Sequence, residues 1–155
     1  MPASGVNLLD ANVWLAVAVA THQQHLAAKA WFDRQSDDSC AFCRITQMAL
    51  LRHLTNSTIM KRTVQFQSQA WVTYDRLATD ARVIFCAEPP EIELHWKDWT
   101  MDESPSHRSW TDRYLAAFAV AGGLRFVTFD QDFKALAPTR RMSGERVDLD
   151  LFLIQ

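Results

Sequence analysis

Glycine is scarce in this chain, with four in 155 residues. They make no G-x-G-x-x-G turn and no P-loop, so nucleotide binding of the Rossmann or P-loop type is unsupported. Cysteine is scarcer and odd in number (Cys40, Cys43 and Cys86), which argues against a disulfide framework. No apolar run reaches the roughly 20 residues that span a bilayer. Asp10 and Asn12 interrupt the apolar stretch Leu8–Ala20. The N-terminus lacks the charged and apolar regions of a signal peptide, so a cytoplasmic location and no membrane contact are expected. A strong charge of one sign is also missing: the formal net charge is −2, and the molecule does not attract a polyanion by bulk charge. Repeats, low-complexity tracts and linkers are absent. With 48% hydrophobic and 22% charged residues, the composition is that of one folded domain, 1–155, able to bury a sizeable core.

What is present is an alternation of short apolar runs with helical periodicity. Strands are expected at Val6–Leu9, Ser39–Phe42, Arg82–Cys86, Phe126–Phe129 and Val147–Phe152. The spacing predicts helices over Asn12–Ala20, Gln24–Gln35, Ile45–Leu54, Gln65–Thr79 and Glu91–Met101, and one carrying Leu115, Ala116, Phe118 and Ala119. Ser109 or Thr111 is expected to cap that last helix, and Gly122 and Gly123 to end it. Strands alternating with helices indicate an α/β domain with a mostly parallel sheet. Such sheets build sites beyond the carboxyl ends of their strands.

Three distant segments deliver an aspartate beside a core element. Asp10 ends the first strand, Asp112 opens a helix, and Asp130 ends a later strand with Asp132 two residues on. Each alone has a plain structural reading: a helix cap for Asp10, a dipole partner for Asp112, a turn former for Asp130 and Asp132. Together they resemble a carboxylate cluster, whose mutual repulsion a divalent cation relieves. All-oxygen ligation favours a hard ion, Mg²⁺ or Mn²⁺. Such an ion lowers the pKa of bound water and holds a phosphate oxygen, which points to phosphodiester hydrolysis. Asn12, Thr111 and Thr128 are placed to orient a ligating carboxylate or water.

Other motifs carry less. Cys40-Ala41-Phe42-Cys43 has CxxC form but no second pair at metal-site spacing, so a buried strand and turn is the better reading. His22 and His25 are three apart and read as surface groups. Arg44, Arg52, Arg108 and Arg113 are candidate phosphate contacts, with solvated side chains as the alternative. The six tryptophans read as core or subunit interface rather than base-stacking platforms, with Trp71, Tyr74 and Leu77 as interface candidates.

Leu8-Leu9-Asp10-Ala11-Asn12-Val13-Trp14-Leu15, Thr111-Asp112-Arg113-Tyr114-Leu115-Ala116-Ala117 and Val127-Thr128-Phe129-Asp130-Gln131-Asp132-Phe133 resemble the PIN domain, and within it the VapC toxins of bacterial toxin–antitoxin pairs. Phe42 to Asn56 resembles the second motif of that family. The resemblance runs nearly end to end. It implies a three-layer α/β fold with a central parallel sheet and a metal-dependent ribonuclease that cuts transfer or ribosomal RNA. It also implies a homodimer and a VapB-type antitoxin whose tail lies over the active site. By position, Asp10, Asp112 and Asp130 become metal ligands and Asp132 a further acid. One departure stands out. Aligned on Arg52, the second-motif glutamate of many members is replaced by Ala49, and no Asp or Glu occurs between Asp38 and Asp75. That implies one metal rather than two, or weaker binding, unless Asp102 or Glu103 substitutes. Two other functions compete: a PIN-like module that binds RNA or protein without cutting, and a phosphatase with Asp10 as nucleophile.

Overall fold

The computed structural model describes residues 5–101, 105–136, 139–140 and 146–155. Asp102 and Glu103, the candidate substitutes for the missing glutamate, lie outside the described residues. The strands are β1 (Asn7–Leu9), β2 (Cys40–Phe42), β3 (Val83–Phe85), β4 (Arg125–Thr128), β5 (Thr139–Arg140), β6 (Arg146–Val147) and β7 (Leu151–Leu153). The helices are α1 (Ala11–Ala18), α2 (His25–Phe32), α3 (Arg44–Leu54), α4 (Ser57–Met60), α5 (Gln67–Ala78), α6 (Ile92–Thr100) and α7 (Ser109–Gly122), with 3₁₀ turns at Lys61–Thr63 and Gln131–Leu136. Five strands form a parallel sheet in the order β3-β2-β1-β4-β7, and β5 and β6 pair antiparallel apart from it. The expected α/β fold with a central parallel sheet flanked by helices is therefore what the chain adopts. β1 and β2 are buried at every position, the signature of strands covered on both faces.

The chain divides into two compact units. One holds Leu9–Ala87 with Ile154–Gln155, the other the described residues before Leu9 and Glu88–Leu153.

In the unit built on Leu9–Ala87, α1 is apolar nearly all round, with Ala11, Val13, Trp14, Leu15, Ala16 and Val17 buried, as suits a helix enclosed by core. Trp14 stacks flat on Phe42 at 3.9 Å, and Phe42 meets Tyr74 edge-on at 5.0 Å. Cys40 and Cys43 are buried and free. Burial pushes the Cys40 thiol up to about 11. Cys43 opens α3 in a reciprocal cap, its amide donating to Thr46 Oγ1 at 3.0 Å. The CxxC is thus strand and cap, as its spacing implied.

Arg82 fastens the approach to β3. Its guanidinium lies 4.0 Å over the Phe32 ring. Its Nε and Nη2 donate to the two oxygens of Asp80 at 2.9 and 2.8 Å, and its Nη1 donates to the Phe32 carbonyl at 3.2 Å. Hydrogen bonding to Arg82, ahead of charge attraction, holds the Asp80 carboxyl down at about 2. A depressed folded pKa contributes stability above the unfolded value, and that contribution is lost as pH falls from about 4 through 2. Discounted for solvent screening, the increment is about 1 kcal/mol. Urea unfolding at pH 5 and pH 2.5 should show the wild type losing that increment, and Asp80→Asn losing less with acid.

In the other unit, α7 packs on α6 and leads into β4. Ala116, Ala117 and Ala119 are fully buried, and their small side chains allow close approach. α7 ends at Gly123 in the left-handed region (φ 64°), the conformation glycine takes without penalty. Its start corrects an expectation. The residue before the helix is Arg108, with no side-chain cap, and Ser109 is already helical. Neither Ser109 nor Thr111 caps it. The last strand is also not continuous over Val147–Phe152. The Phe126 amide donates to the Asp150 carbonyl at 2.8 Å, and β7 pairs with β4 from Leu151 on. Val147 pairs with Thr139 instead.

Candidate active site

Asp10 follows β1 and opens α1. Its carbonyl accepts the amides of Val13 and Trp14, but its carboxylate makes no capping hydrogen bond. Asp10 is thus the N-cap residue by backbone position, as its plain reading had it, but its carboxylate does not cap the helix. Asn12, one residue into α1, is exposed.

The remaining acids belong to the unit that holds α7 and β4. Asp112 sits in the first turn of α7, where the helix dipole favours a negative charge. Asp130 lies two residues beyond β4. The buried Thr128 hydroxyl accepts the Asp130 amide at 3.0 Å, and Asp130 Oδ1 accepts the Asp132 amide at 2.9 Å. This pair of turns sets the exit from β4 and fixes the backbone that carries Asp132. The turn uses one of the two Asp130 carboxylate oxygens, so its structural reading is present in the fold.

The structure brings Asp112 and Asp132 to one cavity of about 240 Å³, whose polar lining also includes Ser106, Ser109, Arg108 and Arg113. Asp130 and Thr111 do not line it. Arg113 is anchored by Nη1 donating to the Trp99 carbonyl at 2.5 Å, which ties the start of α7 to the end of α6. Ser106 was not legible as a site residue, because no motif surrounds it. Ser109 was expected only as a cap. In the other unit, Arg44 lies over the Phe85 ring at 4.7 Å and donates to Gln47 Oε1 at 2.5 Å. Arg52 lines two concavities. Of the interface candidates, Tyr74 turns inward onto Phe42, while Trp71 is 49% exposed.

The groups of the cavity that could ligate a metal are the carboxylates of Asp112 and Asp132, with serine hydroxyls beside them. Among the described residues no group of three or more His, Cys, Asp or Glu gathers tightly enough to hold a metal. Mg²⁺ is commonly held by one or two carboxylates while keeping several waters. The donor set of Asp112 and Asp132 fits that habit, and the absence of thiolate and imidazole from the lining disfavours a softer ion.

The PIN domain family model matches residues 8–138. The chain is 39% identical over 131 residues to Ribonuclease VapC41 of Mycobacterium tuberculosis strain H37Rv, covering 81% of this chain and 90% of that protein. In fold it is similar to the crystal structure of M. tuberculosis VapC20, a Sarcin-Ricin loop cleaving toxin, with a TM-score of 0.60 and 17% identity over 83% and 93% of the two chains. It is similar as well to the DNA-bound VapBC of Salmonella typhimurium, with a TM-score of 0.60 and 14% identity over 95% and 96%. The chain belongs to the PIN-domain family. Within that family it falls in the VapC group. Among the described residues no helix is long and apolar enough to cross a membrane.

Proposed function

We propose that the chain is an Mg²⁺- or Mn²⁺-dependent endoribonuclease, the toxin of a type II toxin–antitoxin pair, which cuts transfer or ribosomal RNA and so stops translation. The observation that carries this reading is one cavity lined by Asp112 and Asp132 together with Arg108 and Arg113, in a chain 39% identical to a protein named as a ribonuclease. Asp10 and Asp130 join the ligand set in this proposal because the motifs that carry them resemble those of the family. A bound divalent ion supplies a water of lowered pKa and neutralises charge on the phosphate. The protein's own groups do the rest. Asp112 and Asp132 hold the cation. Arg108 and Arg113 meet the phosphate oxygens. The Trp99 carbonyl keeps Arg113 in place, and Thr128 and Asp130 keep the Asp132 backbone in place.

The family match crosses both compact units, which supports a single domain, 1–155. The same group membership supports a VapB-type antitoxin as partner, a homodimer, and action in the cytoplasm. The testing experiment is cleavage of total and transfer RNA by the purified, antitoxin-free protein. Cleavage is expected with Mg²⁺ or Mn²⁺ and is expected to stop with EDTA. Cleavage that persists in EDTA would refute the metal.

A second reading has its own observation. Ala49 stands in a pocket with no carboxylate in its lining, where many members carry a glutamate. A chain without that acid would serve as an RNA- or protein-binding module. It predicts RNA affinity with no turnover at any metal concentration.

A further inference from the structure

Within the unit built on Leu9–Ala87, Cys43 and Cys86 stand side by side at the carboxyl ends of β2 and β3. The register of these parallel strands ends at Phe42 opposite Phe85, and the two cysteines are the next residue on each. Cys43 keeps an extended backbone (φ −119°, ψ 175°), and the Cys86 amide donates to the Phe42 carbonyl at 2.8 Å. The pairing thus runs one step beyond the strands. Adjacent strands lie about 4.8 Å apart, inside the roughly 4.4–6.8 Å Cα separation that a disulfide bridges. In-register neighbours leave a sheet on the same face, and successive residues on opposite faces. Cys43 and Cys86 therefore share a face, while Cys40, paired with Val83, belongs to the other. All three thiols are free.

The two sulfurs differ in access: Cys43 is buried and Cys86 half-buried. Burial first, and the neighbouring Cys43 second, push the Cys86 thiol up, so the two groups act on one another. Cys43 is also the residue that opens α3, and the Thr46 hydroxyl lies 3.6 Å from its sulfur. That sulfur has two alternative partners, Thr46 in the first turn of α3 and Cys86 at the end of β3. Its place at the positive end of α3 stabilises negative charge that passes through it. Cys40 is set apart in the core: it is fully buried, and burial holds its thiol up at about 11.

We propose that Cys43 and Cys86 form a reversible redox pair, which closes to a disulfide under a hydroperoxide and reopens under a thiol. The more accessible Cys86, as thiolate, attacks one peroxide oxygen; the O–O bond breaks, and a sulfenic acid and water form. The Cys43 thiolate then attacks the Cys86 sulfur; the S–O bond breaks, and hydroxide leaves and takes up a proton as water. The two thiols lose two electrons, the peroxide gains them, and two waters result. In the test, the full chain is treated with hydrogen peroxide, alkylated in urea and mapped by mass spectrometry. Two of the three cysteines should escape alkylation, in a Cys43–Cys86 cross-linked peptide lighter by two hydrogens. Dithiothreitol should return all three to alkylation. Cys40→Ala should still form the cross-link, and Cys86→Ser should not. The oxidised chain should also raise its urea midpoint by roughly 1 M, because the bond closes a long loop in the unfolded state. A bond that includes Cys40, a bond between two chains, or a Cys86 sulfinic acid with no cross-link would overturn the proposal. So would an oxidised midpoint at or below the reduced one, since the fold would then have to yield for the sulfurs to meet. The wild-type map and midpoint stand by themselves should either variant fail to fold.

Discussion

Asp112→Asn should reduce RNA cleavage by at least about 100-fold, the scale expected when a charged ligand that stabilises the reacting phosphate is removed. The substitution keeps the shape of the side chain and removes its charge. Asp112 lies in the first turn of α7 and lines the cavity with Asp132, so its carboxylate serves the cavity and the helix dipole at once. The dipole share is small: losing a negative charge at an exposed helix start costs about 0.3–1 kcal/mol. The variant should therefore unfold in urea within about 1 kcal/mol of the wild type while losing nearly all cleavage. A variant that still cuts at more than a tenth of the wild-type rate would remove Asp112 from the site.

Asp130→Asn separates two roles in the same way. An asparagine oxygen can still accept the Asp132 amide, so the turn beyond β4 should survive. Loss of cleavage would then report the charge of Asp130, and retained cleavage would leave it as a turn former.

The order of elements was readable because the short parallel strands are continuous apolar runs, and because α7 ends at a glycine whose left-handed conformation the sequence announces. The ends of elements were not. β7 begins at Leu151 because the Asp150 carbonyl takes the Phe126 amide and Arg125 Nε donates to Asp150 Oδ1 at 3.3 Å. Both are long-range contacts that alternation along Val147–Phe152 cannot reveal. The four-residue α4 was missed for a different reason: it is too short for a period, and its one local signal is Asn56 Oδ1 accepting the Thr58 amide at 2.9 Å.

At the site, the motif order singled out Asp10, Asp112, Asp130 and Asp132, since each acid interrupts or abuts an apolar run. What the sequence could not sort was which acids share a cavity. Asp130 and Asp132 are two residues apart, yet one is engaged in the turn and the other lines the cavity. That difference comes from backbone geometry after β4. Ser106 and the anchoring of Arg113 on Trp99 depend on how α6 and α7 meet, and residue types alone do not encode that meeting.

Phe42→Ala should be the most destabilising single change in the chain, at about 3–5 kcal/mol. Phe42 is fully buried in β2, stacked on Trp14 and edge-on to Tyr74. Truncation removes its own apolar burial and strips both neighbouring rings of a packing face. Relief by rearrangement is limited, because Trp14 is itself fully buried among core residues of α1. The Trp14 indole N–H has no acceptor among the described residues, so packing rather than hydrogen bonding keeps that ring in place. Against a typical total of about 5–15 kcal/mol, the loss leaves the variant marginal at 37 °C. Phe42→Leu, which keeps most of the volume, should cost less than about 2 kcal/mol. Phe152→Ala, at a ring 37% exposed, should cost about 1 kcal/mol or less. Urea unfolding followed by far-ultraviolet circular dichroism measures all three, and a Phe42→Ala loss below 1 kcal/mol would show that the stack is not a keystone of the core. The same curves bear on the proposed single domain. One cooperative transition, displaced as a whole by a change in β2, is expected if residues 1–155 fold together. Two separable transitions, with only one displaced, would mean that the compact units fold independently.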